Sequence, residues 1–396
     1  MSVSRRAVVG AAVAAPFVPS AAGAATTWPG PNATTADWPQ LCGYSDHLAV
    51  ARAETGLTAA SVGKLRQVWS RKVTVRNFPP PVPIAVGGRV FVTGAALSAL
   101  DAATGAVKWT RSFPTVMLGS PAYARGIVVV TTRSPGPRVV AVNAATGALL
   151  WSVPLADDSW CSPSIAADVV YVVYRSTVLA LSLDRGAVLW SRPIPQDAEG
   201  WHSSPTVRGG RVFVGTGGNA LVTSFNASTG VLGWRRTLHD SNLYGVDLGP
   251  VAADAAGRVF AATGLGTVFA LSQASGAVVW QAAPVRSEYQ SVAVSGSTVI
   301  GSSGVAMDAF DAASGRLLWS RACVSGGVKV AVAAGLVYRF TMDVAPGLEV
   351  FDAASGVPVA SVAVASWTGA TGPCVSRGRV FTVDTTGMVR AFGVPG

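Results

Sequence analysis

Four stretches of this 396-residue chain combine aromatic rings with carboxylates or histidine, residue types that together can hold a ligand. They are Asp157-Asp158-Ser159-Trp160, Glu199-Gly200-Trp201-His202, His239 to Tyr244 followed by Asp247, and Glu288-Tyr289; Trp367 adds one more ring. An indole or phenol stacks on a planar group while a nearby carboxylate fixes a polar edge, so such sets suit a cofactor, a sugar or a peptide. The ligand-binding candidates are therefore Trp160, Trp201, His202, Tyr244, Asp247, Glu288, Tyr289 and Trp367. The alternative use of the same residues is to fill a cavity and pack the ends of the elements that carry them.

Other chemistries find little support. Neither HExxH nor GxSxG occurs, and three histidines, His47, His202 and His239, are too few for a multi-histidine metal centre, so no metal ligand is assigned. Ser203 and Ser204 follow His202, but neighbours on a strand point to opposite faces, which argues against a hydrolytic triad. Gly215-Thr216-Gly217-Gly218 and Gly264-Leu265-Gly266 end strands with no helix after them, so they read as turns rather than phosphate cradles. Cys42, Cys161, Cys323 and Cys374 lie too far apart for CxxC chemistry or a compact zinc knuckle. Three disulfide pairings and buried free thiols are all open to them.

Half of the residues are hydrophobic and 13% are charged, which excludes a disordered chain. The apolar runs are short, cut by Gly, Asp and Arg, and none outside the N-terminus approaches the roughly 18 residues of a membrane-spanning helix. The formal charge of +10 comes almost wholly from singly spaced arginines, with four lysines and no basic run. A stripe that tracks a phosphate backbone is therefore not expected, and the charge reads as a solubility feature. Residues 1–25 carry Arg5-Arg6, a short apolar stretch and Ala22-Gly23-Ala24, the parts of an export signal of the twin-arginine type.

Positioning the candidate residues requires a scaffold, and a repeat of about forty residues supplies it. Ala99-Leu-Asp-Ala-Ala-Thr-Gly-Ala-Val-Lys-Trp109 recurs as Ala141-Val-Asn-Ala-Ala-Thr-Gly-Ala-Leu-Leu-Trp151 and, more loosely, in copies ending at Trp190, Trp234, Trp280 and Trp319. A seventh copy has Ala360 in the Trp position. Its glycines fall at 105, 147, 186, 230, 276, 315 and 356. The Asp or Asn starts a turn, the Gly takes a positive φ that closes a hairpin with a bulge, and the Trp falls on the outer strand, against the next repeat. Two further strands precede each hairpin, one an apolar run such as Arg89–Val92, the other often introduced by a proline such as Pro121. Four strands per repeat make a propeller blade.

Eight apolar runs but seven turn motifs leave the eighth blade one strand short, with Met388–Phe392 as its third. The segment around Trp69, forty residues before Trp109, can supply the fourth and close the ring. The expectation is an all-β, eight-bladed propeller over 65–396, entered by residues 26–64. Trp69, Trp109, Trp151, Trp190, Trp234, Trp280 and Trp319 are its structural docking residues. The loops running from an outer strand to the next inner strand, which carry the ligand candidates, gather at one mouth of the axial channel.

The pattern Ala-x-Asp-x-x-Thr-Gly-x-x-x-Trp resembles the tryptophan-docking repeat of the quinoprotein alcohol dehydrogenase-like propellers, across residues 37–396. That resemblance implies two kinds of function: enzymes using pyrroloquinoline quinone (PQQ) and calcium, and cofactor-free scaffolds of envelope assembly. The adjacent Cys-Cys pair of the enzymes is missing here. The leading expectation is an exported, monomeric scaffold binding a protein or small molecule at the channel mouth, with no nucleic acid and no transmembrane segment. The alternative is a PQQ- and calcium-dependent dehydrogenase of alcohols, polymeric ones included, with Asp247 or Glu288 toward the metal. A carbohydrate-binding or lyase-type propeller is a third.

Overall fold

The computed structural model describes residues 28–74, 81–117, 119–195, 202–217, 220–238, 249–263, 266–283, 291–303, 305–323, 329–341, 346–364 and 372–395. Blade 1 consists of Ile84–Val86, Arg89–Val92, Ala96–Asp101 and Val107–Ser112, paired antiparallel in that order. Six more blades repeat this meander. The eighth is built from Cys374–Ser376, Arg379–Val383 and Met388–Gly393, and its outer strand is Arg66–Lys72 from the other end of the chain. Trp69 stands opposite Ala391, so the ring closes as the repeat count requires. The innermost strands adjoin from blade 2 round to blade 1.

The turn motif of blade 1 does two things. Asp101 Oδ1 accepts the N–H groups of Ala103 and Thr104, both at 3.0 Å, and Gly105 sits at φ +72°. A Cβ at Gly105 would lie 2.6 Å from the ring of Trp69, so the glycine is also the floor on which the preceding blade's Trp rests. Trp69 Nε1 then donates to Ala102 O at 3.0 Å. Trp109, Trp151, Trp190, Trp234, Trp280 and Trp319 repeat this bond onto the next blade at 2.9–3.0 Å. Every outer strand shifts register by one residue immediately before this position, the bulge that aims the indole sideways.

Arginines two residues beyond the Trp share the task. Arg71, Arg111, Arg236 and Arg321 donate to the carbonyls of Gly105, Gly147, Gly276 and Gly356, and Arg192 to that of Thr229. Part of the positive charge read from the sequence as a solubility feature is thus built into the seams between blades.

The entry segment has a larger role than its sequence suggests. Strand alternation puts the turns between first and second, and between third and fourth, strands on one face of the ring (the turn face), and the remaining connections on the other (the loop face). Trp38 to Ala51 runs round the channel at the turn face and takes backbone hydrogen bonds from six innermost strands. Ala85, Tyr123, Val207, Ala253, Val294 and Val332 donate to the carbonyls of Trp38, Pro39, Ser45, Asp46, Leu48 and Ala49 at 2.6–3.0 Å. At blade 3 a side chain substitutes: Gln40 Oε1 accepts from Ile165 N–H at 2.7 Å and its Nε2 donates to Ile165 O at 2.8 Å. Blade 8 reaches the same segment through the Ser376 hydroxyl on Ala36 O at 2.9 Å. Val50–Ala51 pairs parallel to Ala331–Ala333, making blade 7 five-stranded. The turn-face end of the channel is therefore closed by the chain's own entry.

His47 pins this plug. Its ring lies between Ser164 Oγ, 3.2 Å from Nε2, and Thr206 Oγ1, 2.9 Å from Nδ1. Burial lowers its pKa to about 3, so the ring is neutral.

Candidate functional site

With one end plugged, the loop face is where the channel can meet a ligand. Trp160 and His202 stand on the connections entering blades 3 and 4, and Cys161 links them: its thiol donates to His202 O at 3.1 Å. Both neighbouring connections are drawn together by hydroxyls. Ser120 N–H bonds Ser162 Oγ at 2.8 Å, and Ser162 N–H bonds Ser204 Oγ at 2.9 Å. The Ser-Pro pairs that open blades 2, 3 and 4 thus form a chain of cross-blade bonds.

Trp160 keeps 48% of its surface exposed. Arg133 lies over its ring, 3.7 Å from the centroid, and the guanidinium is held by Asp158 Oδ2 through Nε at 3.1 Å and Nη2 at 3.0 Å. Asp158 Oδ1 accepts from Ser134 N–H at 2.7 Å and from its hydroxyl at 2.9 Å. The result is a rigid stack that presents an indole to solvent, one face backed by a cation. Asp157 pairs with Arg175 at 2.8 Å, and its pKa is lowered by the Asp158 N–H and by Arg175.

His202 is half-buried, with Nδ1 3.1 Å from Thr216 Oγ1, and burial lowers its pKa to about 4. Ser203 Oγ accepts from Gly215 N–H at 2.8 Å and Ser204 Oγ from Ser162, so neither serine is set up as a nucleophile for this histidine. Cys161 is buried and its thiol is pushed up to about 12 by desolvation. All four cysteines are free thiols.

Of the sequence-derived candidates, Trp160 and His202 are thus brought to one face. Trp201, Tyr244, Asp247, Glu288, Tyr289 and Trp367 lie outside the described residues. Arg133 was not among the candidates. Its signal was the length of the connection Thr132–Pro137, longer than its counterparts in most blades.

Asp157 and Asp158 do not fit a calcium ion. Both oxygens of Asp158 already accept two donors each, and Asp157 is paired with an arginine. Among the described residues no three His, Cys, Asp or Glu side chains converge as a metal site, and no helix is long and apolar enough to cross a membrane.

Known proteins resemble the chain at the level of fold. No curated protein sequence matches it. Among solved structures, BamB from Moraxella catarrhalis aligns with TM-score 0.68 and 19% identity, over 83% of this chain and 99% of that one. Quinohemoprotein alcohol dehydrogenase ADHIIG from Pseudomonas putida HK5 aligns with TM-score 0.73 and 12% identity, over 91% and 80%. The quinohemoprotein alcohol dehydrogenase of Comamonas testosteroni gives 0.72 and 15%, over 91% and 81%. At such identities these likenesses show the propeller alone. The family model described as outer membrane protein assembly factor BamB matches residues 53–202, 135–338 and 302–394, which together span most of the chain. Repeat, ring and family model agree, and the chain belongs to this family of PQQ-like propellers.

Proposed function

We propose that the protein is a binding scaffold of the cell envelope or the space outside it, exported by its N-terminal signal, with the loop face as its docking surface. The observation that carries this reading is the Asp158–Arg133–Trp160 stack. Its charges are satisfied internally, its indole is exposed, and no described side chain beside it is activated for acid, base or nucleophilic work. A preorganised aromatic on a rigid base is what a protein-docking anchor needs. The match to a family described as outer-membrane protein assembly factor agrees with it.

A second reading, a quinone-dependent alcohol dehydrogenase, draws on the fold shared with the Pseudomonas and Comamonas enzymes. It would place PQQ in the channel and calcium on Asp247 or Glu288, since Asp157 and Asp158 are already engaged. Incubation of the purified protein with PQQ and calcium separates the two. The scaffold reading expects no dye-linked alcohol oxidation and no change in melting temperature. It also expects a crosslinked envelope partner of the wild type that is lost with Trp160→Ala. Dye reduction together with a rise of several degrees would overturn it.

A further inference from the structure

The plug builds a second site on the turn face, away from the loop-face stack. A cavity of about 450 Å³ opens between the entry segment and the innermost strands of blades 2 to 4. Its polar wall holds Tyr44, Asp46, Arg52 and Arg208; its apolar wall includes Ile165 and Val207.

Two guanidinium groups converge here on one carboxylate oxygen. Asp46 Oδ2 accepts from Arg52, and from Arg208 Nη1 at 2.5 Å. Asp46 is buried, whereas the Arg52 and Arg208 side chains keep 38% and 30% of their surface. Arg52 also lies over the Tyr44 ring, 3.9 Å from the centroid, which fixes its plane. The Tyr44 and Tyr123 hydroxyls are turned to backbone carbonyls, so neither meets the charge of the cavity. One carboxylate against two guanidiniums leaves an uncompensated positive charge, and each guanidinium has five N–H donors of which Asp46 takes one. Planar forks with free donors, held in place by an aromatic ring and a buried anion, are suited to a carboxylate. The volume lies in the range that takes a small organic molecule, and the apolar wall gives its carbon skeleton a surface.

We propose that this cavity binds an organic carboxylate, its oxyanion bridging Arg52 and Arg208 and its apolar body against Ile165 and Val207. The carboxylate can come from a free small acid or from the C-terminus of a partner peptide, and the probes distinguish them. Succinate, butyrate, inorganic phosphate and a hexapeptide with a free apolar C-terminal residue are titrated into the full chain by calorimetry. The expected result is saturable binding of butyrate or the peptide, at least tenfold tighter than phosphate, weakening as salt rises. Tighter binding of the peptide identifies a protein partner; equal binding of butyrate identifies a small acid.

Arg208→Gln is expected to lower affinity at least tenfold. Because that change also loosens the hold on Asp46, Ala124→Phe serves as the second variant. It fills the cavity, leaves the ion pairs intact, and is expected to abolish binding with the melting temperature held within a few degrees. Absence of binding by every probe, phosphate binding as tightly as butyrate, or affinity unchanged in both variants overturns the proposal.

Discussion

Single residues set the energetics of this ring in ways that substitutions can separate. Gly147 and Gly210 both adopt a positive φ, +74° and +72°, but a Cβ at Gly147 would meet the Trp109 ring at 2.7 Å while one at Gly210 meets nothing within 4 Å. Gly210→Ala is therefore expected to cost about 1 kcal/mol of backbone strain. Gly147→Ala adds a displaced indole and should cost on the order of 2 kcal/mol more. Urea denaturation of the two variants measures the difference, and equal losses would mean that the indole does not rest on that glycine. His47 gives a second residue-scale expectation. Its folded pKa, about 3, lies below the 6.5 of a free imidazole, so between these values the unfolded chain binds a proton that the folded one refuses. The stability it contributes is complete above pH 6.5 and is lost as the pH falls toward the folded value. About 2 kcal/mol should disappear between pH 7 and pH 5 from this group. His202, shifted the same way to about 4, adds to the loss. His47→Gln should flatten the dependence in this window, measured as unfolding free energy at the two pH values.

At the scale of elements, the plug is the part with the clearest test. Gln40 does with a side-chain amide what main-chain groups do at blades 1, 2 and 4 to 7. Gln40→Leu keeps the volume but strands the N–H and C=O of Ile165 away from water. A loss of roughly 2–3 kcal/mol is expected for two unmade buried bonds. Faster amide exchange at Ile165 than at Tyr123 or Val207 would locate the damage, while unchanged exchange there would show that another group takes over. The outer strands repeat a bulge, a Trp and, in five of them, an Arg, so the seam between blades rests on a side-chain pair as well as on apolar contact. Where blade 7 meets blade 8 this pattern stops. Ala360 replaces the Trp because the facing blade has no turn glycine to receive it. The short 3-10 helix Val62–Lys64 of the entry segment packs there instead.

For the whole molecule, closure by Arg66–Lys72 turns a linear array of repeats into a ring, and an array with no free end unfolds cooperatively. Trp69 is the closing contact, resting on Gly105 and packing against Phe381 with ring centroids 6.0 Å apart. Trp69→Ala, at a partly buried indole, should cost about 3 kcal/mol, the low end of the range for a core tryptophan. It should also expose blades 8 and 1 to exchange before the rest, whereas Trp190→Ala, at a more deeply buried docking indole, should open blades 3 and 4 first. Identical exchange patterns in the two variants would show that the closing strand is no special weak point. The same closure leaves one channel end for the loop-face stack and gives the other to the plug and its basic cavity.

Much of this was written locally, because a turn, a bulge and a strand are decided by residues within a dozen positions of each other. Seven copies of the turn motif set against eight apolar runs were enough to predict eight blades, their order and the closing role of Trp69. The candidate site was legible only in part: of its eight residues, Trp160 and His202 lie on neighbouring connections of the loop face, and the other six lie outside the described residues. Arg133 and Asp158 lie 25 positions apart, and nothing along the chain marks them as partners. The entry segment carries no repeat, since it meets the eight blades through different groups at irregular spacing, and such a path has no period to detect. Only the tertiary structure could convert Gln40, Asp46 and His47 from a few polar residues in an irregular stretch into the closure of a channel. Their partners, Ile165, Arg208 and Thr206, are supplied by the ring, and exist as neighbours only after it has formed.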